Sequence, residues 1–540
     1  MYIKSVHENY ILLRDNINYH FLLISIIHFI ITLFTDNIIF TLDNELTSRY
    51  LLIKSVILVF LLLFWQLVAF ICKKVKSKDE TIILFLKLFI IYFGIMFVFL
   101  LLIWPGVWIW DDLVILILSS KLYLCPTQHW ITSLFYIISL SSFPFPSGVI
   151  LMQIIFISLI IGCISYLIFR TFSTSLKYFF FIPMLFPTVI FYNLLAMRIV
   201  LYSYFEILLL SLILFKWYNK EQINTSDMLI WGVLTAILAT WRSEGIVYIV
   251  CIPIVILISF RKQINIKKAS FFAIATLLIF TSINFINNFI RNYEQLPQDY
   301  KLTAIASPLA AILKTDFNSN NPEADLIIID RVMSVDDLRT MEGSTAFWHG
   351  HPFVYTEEEF REFVIVYANL AIRNLPTLLE NQFFWFRQTS GFIFFDIAPN
   401  RSTLNLFERR DRYVYEWFHD ELYLTSPINY SLRAFVVKFL EGRNAEGEYN
   451  ILRGIFYNLV FPIAITLAFM IYSIFKRKWP IAIVAFAMLS KTGVVFLTAP
   501  ASFFMYYLPI YICGYGLGVI VLLMARNEKT DLEDDEVSMV

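Results

Sequence analysis

Residues 82–112 read IILFLKLFIIYFGIMFVFLLLIWPGVWIWDD, and this stretch decides the fold class. From 82 to 103 the side chains are almost all apolar. That is long enough to cross a bilayer core as a helix, which takes roughly 17–25 residues. A tryptophan-rich run follows, as expected where a helix leaves the hydrocarbon for the headgroup layer. Two adjacent carboxylates, Asp111 and Asp112, close the stretch. Lipid offers no partner for open backbone groups, so such a segment spans as a helix; a barrel would need period-two alternation, which is absent.

Outward from this stretch, the rest of the chain repeats the pattern. Of its 540 residues 59% are hydrophobic and only 16% charged, with a mean hydropathy of +0.70; a soluble globular chain carries about 25% charged residues. This composition excludes a disordered chain, a coiled coil, a disulfide scaffold and a water-soluble enzyme built on one core. About twelve spans are expected, near 21–41, 50–72, 82–103, 147–169, 177–193, 199–215, 228–241, 245–260, 270–290, 451–475, 480–497 and 503–525. The expected fold class is therefore an α-helical polytopic membrane protein. Residues 1–20 show no short apolar core with a small-residue cleavage site, so the first apolar run reads as a retained span. The five cysteines have the spacing of neither a zinc site nor a disulfide framework. Basic and acidic residues balance at 42 each, which points to no nucleic-acid partner.

The distribution of charge says more than its sum. Basic clusters follow alternate spans: Lys73, Lys74 and Lys76; Arg170 and Lys177; Lys216 and Lys220; Arg261, Lys262, Lys267 and Lys268; Lys476, Arg477 and Lys478. Counted through twelve spans, these clusters fall on one side with both termini, and the positive-inside rule makes that side cytoplasmic. The opposite side receives the loop 104–148 and the polar stretch 291–450, about the length of a small domain. The chain thus divides into an N-terminal membrane region, 1–290, with the first outer loop 104–148; an extracytoplasmic domain, 291–450, expected to be α/β or mostly helical; C-terminal spans, 451–526; and an acidic, solvated cytoplasmic tail, 527–540.

In the first outer loop, 113–118 and 131–140 are too short to span and read as helices along the membrane surface, flanking His129. Asp111 and Asp112 admit three readings. One of them could take a proton from an attacking hydroxyl, the pair could hold a divalent cation, or both could cap the following helix at its positive end. His129 is a substrate contact or a locally hydrogen-bonded histidine. Arg198 and Arg242 stand at outer span ends, Glu244 follows Arg242 by two, and Glu206 lies inside a span. A charge at a span's centre costs about 2.5–3.5 kcal/mol and needs a cavity or a partner. Guanidinium forks suit phosphate oxygens; alternatively Arg198 snorkels to headgroups and Arg242 pairs with Glu244. His349-Gly350-His351 has no third ligand nearby and reads as a loop. Glu357–Glu359 reads as a helix start. Asn400-Arg401-Ser402 and Asn429-Tyr430-Ser431 match the glycosylation sequon.

The order of these motifs resembles the GT-C superfamily of membrane glycosyltransferases, in particular a bacterial branch carrying Pro-Gly, then aromatic-Asp-Ser, then His-Pro before a helix. Pro105-Gly106 matches. Trp110-Asp111-Asp112 has Asp112 in place of the serine, and Gln128-His129-Trp130 has Trp130 in place of the proline. Trp241-Arg242-Ser243-Glu244-Gly245 resembles the branch's arginine-X-asparagine-glycine turn, with Glu244 for asparagine. Met505-Tyr506-Tyr507-Leu508-Pro509 resembles an Arg-Tyr-X-X-Pro motif, with Met505 for arginine. The resemblance covers about 80–260 and 480–525 and leaves 291–450 outside.

What the resemblance implies is an enzyme of the outer face in a bacterial plasma membrane. It would take a sugar from a polyprenyl-phosphate donor and transfer it, with inversion, to a lipid-linked or cell-envelope glycan or lipid acceptor. Asp111 would be the base or acceptor-binding acid, Asp112 its neighbour, and His129 an acceptor or phosphate contact. Arg198, Arg242, Glu244 and Tyr506 complete the candidate substrate-binding set, and a divalent cation, if used, would rest on Asp111 and Asp112. Two other functions fit the same composition. One is a transporter or flippase of a lipid-linked glycan, for which paired repeats and broken helices are expected; the other is a polysaccharide polymerase or ligase.

Overall fold

The computed structural model describes residues 18–40, 47–125, 128–293, 302–341, 355–392, 426–444, 446 and 448–538. Among them the chain is helices joined by turns, with no strand; two isolated bridges occur, Val107 with Leu195 and Arg443 with Tyr449. Nine of the described helices are long and apolar enough to cross a membrane, ten if the pair Ser175–Met184 and Pro187–Asn193, bent by 60°, counts as one. This is a multi-pass α-helical membrane protein. Of the twelve expected spans, those near 228–241 and 245–260 correspond to Thr225–Trp241 and Ser243–Ser259, which belong with the shorter apolar helices.

The chain clusters into two compact units, the first made of 1–171, 190–198 and 404–437. Its helices are α1 (Tyr19–Ile39), α2 (Thr47–Lys76), α3 (Glu80–Leu102), α4 (Trp110–Ser120), α5 (Trp130–Ser142) and α6 (Ser147–Thr171). α1 and α2 pack as a pair whose outward side chains, such as Phe34 and Leu63, stay exposed, as a lipid-facing surface requires. Between them a charged pair is shielded: Lys54 Nζ lies 2.6 Å from Asp36 Oδ1, and the Tyr50 hydroxyl donates to Asp36 Oδ2 at 2.8 Å. α3 packs on α6, where a Cβ at Gly162 would stand 3.3 Å from Phe85 and Phe89; small residues let span backbones approach.

α4 and α5 have 11 and 13 residues, about 17 and 20 Å of helix, too short for a bilayer core of about 30 Å. They pack on each other, and α5 on α6. The sequence reads them as helices lying along the membrane surface, flanking His129. In the structure most of their side chains are buried, among them Leu113, Ile115, Leu116, Tyr136 and Ile137. The physical reason is composition: 113–118 has no polar face to leave in water.

The second unit is 172–189, 199–403 and 438–540. α7 (Arg198–Tyr218) enters it at Ile199, followed by α8 (Thr225–Trp241), α9 (Val247–Ser259), α10 (Ile266–Tyr293), α11 (Val460–Phe475), α12 (Trp479–Thr498) and α13 (Leu508–Ser538). α8 packs on α10, α9 on α12, and α11 on α12 and α13. The described part of 291–450 that lies in this unit builds a helical core of its own around Leu309, Ile329, Met333, Phe363 and Leu370. The α/β alternative for this segment finds no strand among the described residues. Thr356 and Glu359 form a reciprocal capping box on the helix Glu357–Arg373, so this acidic run is indeed a helix start. α13 continues as helix to Ser538, where a solvated tail is expected. Extending an existing helix avoids the cost of nucleating one. His349, His351 and the Asn400 sequon lie outside the described residues, while Asn429 accepts a hydrogen bond from Leu432 N–H at 2.9 Å.

Candidate functional site

The first unit builds a polar site from two loops. Gly106 sits at φ +97°, and a Cβ there would stand 2.0 Å from Ile150 Cδ1 and 3.3 Å from Leu194 O; glycine alone fits without strain. Past this turn the Val107 N–H donates to Leu194 O at 2.8 Å. Buried Gln153 of α6 donates from Nε2 to Asn193 O at 3.0 Å and to Leu195 O at 2.8 Å. Asn193 Nδ2 donates to the Tyr92 hydroxyl at 3.0 Å, and the Tyr136 hydroxyl donates to Ala196 O. Arg433, only 2% exposed, donates to Ile103 O and to Trp104 O just past the C-terminal end of α3, where a cation is favoured. These bonds hold loop 103–109 against loop 193–197, and that places Arg198 where its charge acts on Asp111 and His129.

Asp111 and Asp112 occupy the first turn of α4. Asp112 accepts a hydrogen bond from the Ile109 N–H, so the capping reading accounts for part of its role. Its Oδ2, however, is buried without a hydrogen-bond partner among the described residues. Burial, reinforced by the Asp111 charge, holds the Asp112 carboxyl well above the usual carboxylate range. Asp111 is exposed and accepts from Gln128 Nε2 at 3.4 Å. Its apolar surroundings raise its carboxyl above the ordinary value, while the Arg198 guanidinium pulls it down.

His129 is the N-cap of α5 and sits at φ +71°, a region few non-glycine residues adopt. Its Nδ1 accepts from the Ile131 N–H at 3.4 Å, which assigns the ring proton to Nε2. Among the described residues that buried Nε2 has no hydrogen-bond partner. Burial and the Arg198 charge push the imidazole down to about 3, so the ring is neutral at physiological pH. The site therefore combines an accessible carboxylate with raised basicity, a buried carboxyl that favours its proton, a neutral N–H donor and a guanidinium. A buried unpaired oxygen and N–H are costly unless a ligand or water meets them.

Among the described residues no three His, Cys, Asp or Glu side chains converge as metal ligands. A divalent cation would rest on Asp111 and Asp112 alone, where Arg198 already supplies positive charge.

The other candidates lie in the second unit. Arg242 donates through Nε to Glu244, and both are largely buried, so the pairing alternative holds for this arginine. Gly245 is required there, since a Cβ would stand 1.9 Å from Leu238 O. Tyr506 lies half-buried in the turn Phe504–Tyr507, its ring 5.9 Å from that of Phe503. Glu206 is paired with Lys491, accepts from the Tyr248 hydroxyl at 2.6 Å, and is fully buried with its lysine. The sequence reading marks Glu206 and misses Lys491, although the same test, a charge inside an expected span, finds both. Gln153, Asn193, Tyr136 and Arg433 are also missed. Each acts chiefly through a distant backbone carbonyl or hydroxyl, and no local pattern announces that. No protein-family model, no curated protein and no solved structure matches this chain.

Proposed function

We propose that this protein is a glycosyltransferase of a bacterial plasma membrane, with twelve membrane crossings and both termini in the cytoplasm. It moves a sugar from a polyprenyl-phosphate donor to a lipid-linked or cell-envelope glycan at the outer face. The observation that carries the reading is the convergence of Asp111, Asp112, His129 and Arg198, with Asp112 Oδ2 and His129 Nε2 left for a ligand. In this reading the acceptor hydroxyl gives its proton to Asp111 as its oxygen bonds to the anomeric carbon. The carbon–oxygen bond to phosphate breaks, and polyprenyl phosphate leaves with the electron pair, inverting the sugar. A carboxyl of raised basicity is the better general base. Arg198 and the His129 Nε2–H would meet the departing phosphate, and Asp112 would donate a hydrogen bond from its retained proton.

The test is release of polyprenyl phosphate by the purified chain in nanodiscs, supplied with a panel of polyprenyl-phosphate hexoses. Asp111→Asn is expected to lower transfer by about 10²-fold or more while donor binding persists; transfer at the wild-type rate would move the base to Asp112 or His129. A second reading, transport of a lipid-linked glycan, is favoured by the 60° break between Ser175–Met184 and Pro187–Asn193, since broken helices build transporter sites. Movement of intact donor without cleavage would support it instead.

A further inference from the structure

In the second unit, three of the basic clusters meet in one place. Lys220, Arg261, Lys262 and Arg477 line a single cavity of about 640 Å³, together with Trp217 and Trp479. All four cations are exposed. None forms an ion pair among the described residues, because the neighbouring carboxylates are taken: Glu221 and Asp227 lie against Lys216, and Glu528 against Lys478.

The backbone supports a built site. Lys220 and Arg477 sit at φ +54° and +55°, each closing its helix. Lys220 N–H donates to Trp217 O and Glu221 N–H to Lys216 O; Arg477 N–H donates to Ile474 O and Lys478 N–H to Ser473 O. Glycine is the usual residue at this left-handed position, and a side chain there is strained. Here both positions carry a cation, and both cations line the cavity.

We propose that this cavity binds the phosphate-bearing headgroup of an anionic membrane lipid. Phosphate is the chemistry that several convergent cations select. A lipid is favoured over a free phosphate because Leu257 and Ile258 form an apolar wall of the same cavity and stay 49% and 42% exposed, a track for an acyl chain. Paired tryptophans suit the same interfacial depth, and basic pockets between spans on the cytoplasmic side bind anionic headgroups.

The experiment titrates the full chain, in neutral detergent, with dihexanoyl phosphatidylglycerol, dihexanoyl phosphatidylcholine, and sodium phosphate or pyrophosphate, reading dissociation constants and melting temperature. The anionic lipid is expected to bind and stabilise, and binding should weaken with salt. The triple variant R261Q/K262Q/R477Q should bind it roughly hundredfold more weakly, while K73Q/K76Q/K267Q, which neutralises as many charges off the cavity, should bind as wild type. Equal binding of phosphatidylcholine, equal stabilisation by free phosphate, or undiminished lipid affinity in the cavity variant would each overturn the proposal. If the triple variant does not fold, the salt dependence of wild-type binding and the single variant K262Q decide it in the same way.

Discussion

At the scale of the residue, neighbours separate Asp111 from Asp112. The two are chemically identical and adjacent, yet one is accessible beside a guanidinium and the other is buried with one oxygen unpaired. Because the Asp112 carboxyl is raised in the folded state, the fold binds that proton more tightly than the unfolded chain does. Its contribution is fully present below the ordinary carboxylate value near 4 and is lost as pH rises through the raised value. Asp112→Asn, neutral at every pH, should therefore raise the melting temperature at pH 7 and change it little near pH 4. A variant that melts below wild type at pH 7 would refute the assignment. His129 has the opposite sign. Its imidazole is depressed to about 3, so stability is intact above about 6.5 and falls as pH drops toward 3. His129→Gln should flatten this acid limb in the same melts.

At the scale of the element, α4, α5 and α6 carry the site and the two loops aim it. Gln153 is the pin, since one side-chain amide serves the carbonyls of Asn193 and Leu195. Gln153→Leu fills the same space and leaves both carbonyls without that donor, a cost of about 1–3 kcal/mol for an unsatisfied buried group. The expected result is a lower melting temperature with unchanged helix content by circular dichroism. In the transfer assay, activity should fall further than the melt implies, because Arg198 follows this loop. Unchanged stability would show that the bonds of Val107, Tyr136 and Asn193 hold the loop without Gln153. The existence of α4 and α5 was legible from two apolar runs of the wrong length to span. Their burial was not, because a run apolar on every side fits a membrane surface and a helical core alike.

At the scale of the molecule, Glu206 and Lys491 join α7 to α12 across 285 positions of sequence. A buried ion pair is costly to break from one side: Glu206→Leu or Lys491→Met alone should each cost about 3–5 kcal/mol, and the double variant should recover most of the loss. A double-mutant cycle read by thermal melts measures the coupling, and additive losses would deny the pair. Topology is tested by single cysteines. Asp316→Cys and Asn320→Cys, exposed in the loop between the helices Thr303–Leu313 and Pro322–Asp330, should react with an impermeant maleimide in intact cells. Lys267→Cys should react only after permeabilisation. The reverse pattern would invert the orientation.

The sequence by itself determined the class of molecule, the positions of most spans and the two short helices within 104–148, and it singled out Asp111, Asp112 and His129 as candidates. Each of these depends on the length of an apolar run or on residues adjacent in the chain, which lipid and backbone chemistry constrain locally. Only the tertiary structure decided that Arg198 stands with the acid pair, that Arg242 is neutralised by Glu244, and that Lys220, Arg261, Lys262 and Arg477 share one cavity. It also decided which oxygen and which ring nitrogen lack a partner. Those facts rest on contacts between segments tens to hundreds of residues apart, such as Arg433 reaching Ile103 O, and no local pattern encodes which distant carbonyl a side chain will find.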